Sequence, residues 1–132
     1  MKNQFSKNLI ILSIITVFLF SVGITVSNLA RGLESEEYSF VSKMGSKGTG
    51  DGQFDTPHTI AFDPSGNMYI TDTKNARVQK FDSNGTFLAK WGSKGTGDGQ
   101  FLELEDIELN SFNDVCVSDR GTASIQIFTK VR

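Results

Sequence analysis

The side chains able to do chemistry are few, and their spacing limits what they can do. His58 is the only histidine and Cys116 the only cysteine among 132 residues. A transition-metal centre or a Ser-His-Asp triad needs more histidines or thiols, or a base with an evident orienting partner. The chain alone supports neither, so no catalytic residue, metal ligand or cofactor is assigned. Asp51 and Asp98 lie in matching glycine-rich segments, but one carboxylate per segment falls far short of the oxygen ligands calcium takes. Those glycines do not form G-x-x-x-x-G-K-[ST], and strand-like sequence follows them where a phosphate loop would open a helix. What remains is a polar group, His58, Asp72, Lys74, Asn75 and Arg77, suited either to meeting a partner or to holding a turn. Asn84-Gly85-Thr86 is also an N-x-T glycosylation acceptor, on a turn that needs no sugar to form.

The elements that must position these residues come from a repeat. Gly45 to Phe54 reads GSKGTGDGQF, and the same letters return from Gly92 to Phe101, an offset of 47 residues that runs without a gap from Phe40/Phe87 to Gly85/Arg132. A period in this range marks units that bury their apolar faces on one another. Within the first unit, short apolar runs alternate with turn formers. Thr59 to Phe62, Met68 to Thr71, Arg77 to Phe81 and Phe87 to Trp91 are predicted strands. Asp63-Pro64-Ser65-Gly66-Asn67 and Asp72-Thr73-Lys74-Asn75 turn the chain between them, and Asn84-Gly85 is predicted to centre a type I′ hairpin. Cys116 falls in the alternating run Val115-Cys116-Val117 and reads as a small apolar residue. Four short antiparallel strands per period describe a propeller blade.

The segment Gly-Asp-Gly-Gln-Phe, then Pro57, then Ile60 to Asp72, then Asn75-Ala76-Arg77-Val78-Gln79-Lys80-Phe81 resembles the NHL repeat. The resemblance implies an all-β fold of propeller blades, six in complete members, used as platforms for protein, carbohydrate or RNA ligands, as extracellular sensors and occasionally as lyases. In the second copy Pro57 is matched by Leu104, Gly66 by Asn113, Asn75 by Thr122 and Arg77 by Ser124. Asp119, Ala123, Gln126 and Phe128 keep the register of Asp72, Ala76, Gln79 and Phe81, so the core face survives there while turn and surface residues have drifted.

Two repeats, 40–86 and 87–132, make an incomplete ring of about two blades. The second lacks a fourth strand, whereas Phe40 to Met44 aligns with the fourth strand Phe87 to Trp91 and is predicted to be a strand without its blade. Stacked arrays need about three repeats before they are stable. Three explanations stand: a fragment of a longer propeller, a homo-oligomer that completes the ring, or packing onto another propeller protein. Ahead of the repeats, no charge occurs from Asn8 to Ala30, while Lys2 and Lys7 precede that stretch and Glu34, Glu36 and Glu37 follow it. Residues 1–30 are expected to form a membrane helix through residues 9–28, as a retained anchor or a cleaved signal, followed by an acidic linker over 31–39. The charge order places the repeats outside the cytoplasm, anchored or secreted. A formal charge of −2, without a basic stripe, argues against nucleic acid as a partner. The sequence therefore points to a noncatalytic binding or assembly module with a protein or carbohydrate ligand. The alternative is part of a propeller lyase or hydrolase whose metal ligands come from further blades.

Overall fold

A computed structural model describes residues 37–131. The expected membrane helix falls outside the described residues, as does most of the acidic linker. Residues 37–41 are exposed and belong to no helix or strand, and they group separately from the body that begins at Ser42. That body is all β, apart from one turn of 3-10 helix.

The first sheet holds β3 (Pro57–Phe62), β4 (Met68–Asp72), β5 (Arg77–Phe81) and β6 (Phe87–Trp91) in the order β3-β4-β5-β6, every pair antiparallel. The second holds β9 (Leu104–Leu109), β10 (Val115–Asp119) and β11 (Ser124–Phe128), antiparallel in the order β9-β10-β11. One four-stranded and one three-stranded antiparallel sheet are thus formed. Ahead of each sheet the repeated segment folds into a small parallel ladder. The first pairs β1 (Ser46–Lys47) with β2 (Gln53–Phe54), and the second pairs β7 (Ser93–Lys94) with β8 (Gln100–Phe101).

Because side chains alternate across a strand, each sheet has two faces, and the inner ones pack together. Tyr69, Ala76 and Val78 of the first sheet meet Leu104, Ile107, Val115 and Val117 of the second, with Phe101 from β8 wedged between them. Burying an aromatic or branched aliphatic side chain in this way contributes about 1.5–3 kcal/mol each. Trp91 extends the seam, 6.3 Å edge-on from Tyr69 and 5.7 Å from Phe128. On the far side of the first sheet, Phe54 lies 5.9 Å from Phe81 and covers Ile70. The connector phenylalanine therefore plays the same part in both repeats, as a lid over one sheet face.

Two sequence expectations are corrected. Phe40 to Met44 forms no strand. A strand gains its hydrogen bonds only from a neighbour, and none is paired with this segment. Nor is the Asn84-Gly85 turn type I′. Among these two residues only Gly85 has positive φ, +85°. Gly85 N–H donates to the Asp82 carbonyl, and the Asp82 carboxylate accepts from the N–H groups of Asn84 and Thr86 at 2.9 and 2.8 Å. The aspartate side chain thereby sets a five-residue turn with glycine in the left-handed position. Asp63 to Asn67 and Asn110 to Asp114 repeat the design, with Asn113 at φ +64° where Gly66 stands in the first repeat.

Candidate functional site

The polar group singled out in the sequence assembles at the end of β4 and β5. β4 stops at Asp72, a 3-10 turn follows over Thr73–Asn75, and Ala76 in the left-handed region (φ +50°) reverses the chain into β5. The reversal sets Arg77 opposite Asp72 in the ladder. Their ion pair is buried, Arg77 Nε donating to Asp72 Oδ2 at 2.8 Å. Asn75 Nδ2 and Gln79 Nε2 donate to the same oxygen at 2.9 and 3.3 Å, and the Asp55 N–H reaches Oδ1 at 2.7 Å.

The remaining donors point at the connector. Arg77 Nη1 donates to the Thr49 carbonyl at 2.7 Å, and Nη2 to the carbonyls of Gly50 and Gln53 at 2.9 and 2.8 Å. Asn75 Nδ2 donates to the Gly48 carbonyl, while Gln79 bridges the Gln53 carbonyl and the Gly52 N–H. A planar guanidinium with its donors in a fixed fork is suited to such a cluster of carbonyls. Asp72, Asn75 and Arg77 therefore form a clamp that holds the connector loop onto the first sheet.

The second repeat keeps the connector and loses the arginine. Gln126 still bridges the Gln100 carbonyl and the Gly99 N–H, at 2.8 and 2.7 Å. Ser124, which aligns with Arg77, only meets the Thr122 hydroxyl at 2.7 Å. Asp119 instead accepts the N–H groups of Leu102, Glu103 and Gly121 at 2.8 to 2.9 Å. Burial pushes its carboxyl up, but these backbone donors and Thr122 outweigh burial and hold it below the usual value. One carboxylate position is thus satisfied by a cation network in one repeat and by backbone N–H groups in the other.

His58 and Lys74 are the members of the group that face solvent. His58 Nδ1 lies 2.6 Å from the Glu105 carbonyl, beside the Thr59 hydroxyl, which donates to that carbonyl at 2.9 Å. The pair stitches β3 to β9. Asp51 forms an ion pair with Lys90 across the connector. Among the described residues, no three His, Cys, Asp or Glu side chains are placed to hold a metal ion. Asn84 stands exposed at its turn. Gln79 and Gln126, absent from the sequence-derived group, are its central bridging residues. Their signal was their identity across the offset, an unusual constraint for a polar residue on a strand.

β3 to β5 and the clamp side chains Asp72, Asn75, Arg77 and Gln79 coincide with the match to a known family, since residues 54–81 fit the NHL repeat. The chain carries an NHL repeat. It is also similar to human NHL repeat-containing protein 3, 35% identical over 50 residues, a stretch that spans 38% of this chain and 14% of that protein. The NHL match ends at Phe81, so β6 and the three strands of the second sheet lie beyond it. The second sheet nevertheless keeps the first one's register: Val115↔Phe128 and Asp119↔Ser124 in β10–β11 are the counterparts of Met68↔Phe81 and Asp72↔Arg77 in β4–β5.

Proposed function

We propose that this chain is a noncatalytic binding module that works outside the cytoplasm, and that its open sheet faces, flanked by a rim carrying His58 and Lys74, take a protein partner. One observation carries the proposal. The inner faces of the two sheets are packed together, yet Phe62 on the outer face of the first is 60% exposed, and Ile125 and Ile127 on the outer face of the second are 71% and 65% exposed. Apolar sheet faces of this kind mark association surfaces. The polar chemistry nearby supports binding over catalysis, because Asp72, Asn75, Arg77 and Gln79 are spent on holding the connector. Support for an outside location is the charge order around residues 9–28, with Lys2 and Lys7 before the apolar run and acidic residues after it.

The test places a photo-crosslinking amino acid at Phe62 or at Ile127 of the full chain in its native cells. Protein adducts at these positions, weaker when the probe is moved to Asn84, are expected. Adducts no stronger at the faces than at Asn84 would contradict the proposal. For location, a membrane-impermeant maleimide on intact cells should label an Asn84→Cys variant that lacks Cys116; labelling only after lysis overturns it.

A further inference from the structure

We infer that the protein covering the open faces is a second copy of this chain, which also lends residues 40–44 as the missing fourth strand beside β11. This deepens the binding proposal above and rests on it.

The 47-residue offset relates not only the sheets but also the surfaces they use. The second sheet presents Leu104, Ile107, Val115, Val117 and Phe128 to the first. One period earlier stand Pro57, Ile60, Met68, Ile70 and Phe81, on the outer face of the first sheet. The first sheet presents Tyr69, Ala76 and Val78 to the second. One period later stand Cys116, Ala123 and Ile125, with Cys116 and Ile125 on the outer face of the second sheet. The two outer faces thus repeat the two halves of an interface already formed inside the chain. The step that carries the first sheet onto the second, applied once more, sets the first sheet of another copy on the outer face of β9–β11. Contacts made this way are heterologous and propagate head to tail until a ring closes.

The same step gives residues 40–44 a place to pair. β6 pairs with β5 and leads directly into Gly92 and β7. Residues 40–44 lead in the same way into Gly45 and β1. In a head-to-tail stack, residues 40–44 of the incoming copy take the place beside β11 that β6 takes beside β5. Transferring the β5–β6 register by one period pairs Ile125 with Met44, Gln126 with Lys43, Ile127 with Ser42 and Phe128 with Phe40. A groove of about 460 Å³ opens between the sheets at the Phe128 end of this edge, with Tyr69, Leu88 and Trp91 on one side and Val115, Phe128 and Thr129 on the other. Phe40 and Val41, 82% and 89% exposed in the single chain, are apolar side chains without cover.

The test uses full chains with Cys116 replaced by serine, because Cys116 sits directly opposite Ile127 in the β10–β11 register and would capture a new thiol there. One chain carries Ser42→Cys and a differently tagged chain carries Ile127→Cys; the two are co-expressed and mildly oxidised. A disulfide-linked heterodimer is expected, and it should be lost when Lys43→Cys, which falls opposite Gln126 on the other face of the strand, replaces Ser42→Cys. No heterodimer, or equal yield from Lys43→Cys and Ser42→Cys, overturns the inference. If photo-crosslinked adducts at Phe62 and Ile127 persist while the heterodimer is missing, the binding proposal stands and the second copy is the wrong partner.

Discussion

Replacing Arg77 by serine, the residue its own second repeat carries at the aligned position 124, isolates what the clamp contributes. Arg77 is 7% exposed and Asp72 fully buried. Removing one member of a buried pair costs about 3–5 kcal/mol, because the other charge is left without compensation. The lost bonds to the connector add little, since Thr49 and Gly50 are exposed and water can replace the guanidinium at their carbonyls, while the Gln53 carbonyl keeps Gln79 as a donor. Asp72 keeps the Asp55 N–H, Asn75 and Gln79 as donors. A loss near the lower limit, about 3 kcal/mol, is therefore expected, within the 5–15 kcal/mol of a typical domain. Urea unfolding of the full chain measures it. Adding Asp72→Asn removes the stranded charge and should restore at least about 1 kcal/mol. Hydrogen exchange should show the first connector loosening toward the protection of the second. A loss under about 1 kcal/mol, or no restoration by Asp72→Asn, would refute the assignment of Asp72 as the group that sets the cost.

Other outcomes follow from the same contacts. Phe101→Ala should cost about 3–5 kcal/mol in urea unfolding, since its ring is fully buried between the sheets. Gly92 has φ +108°, and a Cβ there would come within 2.7 Å of the Ala76 carbonyl oxygen, so Gly92→Ala should lower the thermal midpoint, whereas Gly99→Ala meets no atom within 4 Å and strains only its φ of +71°. For pH, Asp119 and Asp63 both have carboxyls held below the usual value, in each case by hydrogen bonds that outweigh burial. A depressed folded value means stability that is fully present above the unfolded value of about 3.9 and lost as pH falls through the folded one. Stability should therefore stay level from neutral pH down to about 5 and decline below about 4, and Asp119→Asn should flatten that decline. Trp91 Nε1 is buried without a partner, so Trp91→Phe should cost less than about 1 kcal/mol while Trp91→Ala costs about 3 or more.

The strands of the two sheets were legible because β4, β5 and β6 are bounded by turn formers, and because β10 alternates Val115, Val117 and Asp119 inward against Cys116 and Ser118. The connector ladders were not, since two-residue strands such as β1 and β2 carry no periodicity. The sign of φ at Asn84 was misread because an Asn-Gly pair leaves the choice to its surroundings, and the Asp82 carboxylate makes that choice. The site was half visible. Asp72, Asn75 and Arg77 were picked out together, with turn-holding and partner-binding as rival roles, but the carbonyls of Thr49, Gly50 and Gln53 that occupy the guanidinium are 24 to 28 residues away in sequence. Only the folded connector brings them within reach. The strand expected at Phe40 to Met44 was misplaced for a related reason: the pattern encodes a strand, but pairing needs an edge.

Hydrogen exchange along β11 in the native full chain tests the central claim most directly. In a single copy the outer N–H groups of β11 have no partner strand, so β11 should exchange as an open edge. With the outer face covered and a strand added, the amides of Ser124 to Phe128 should be protected to the degree of Arg77 to Phe81 in β5, and an Ile125→Asp, Ile127→Asp double variant should lose that protection while keeping it in β4 and β5. Edge-like exchange at β11 in the native chain, unchanged in the double variant, would contradict the account.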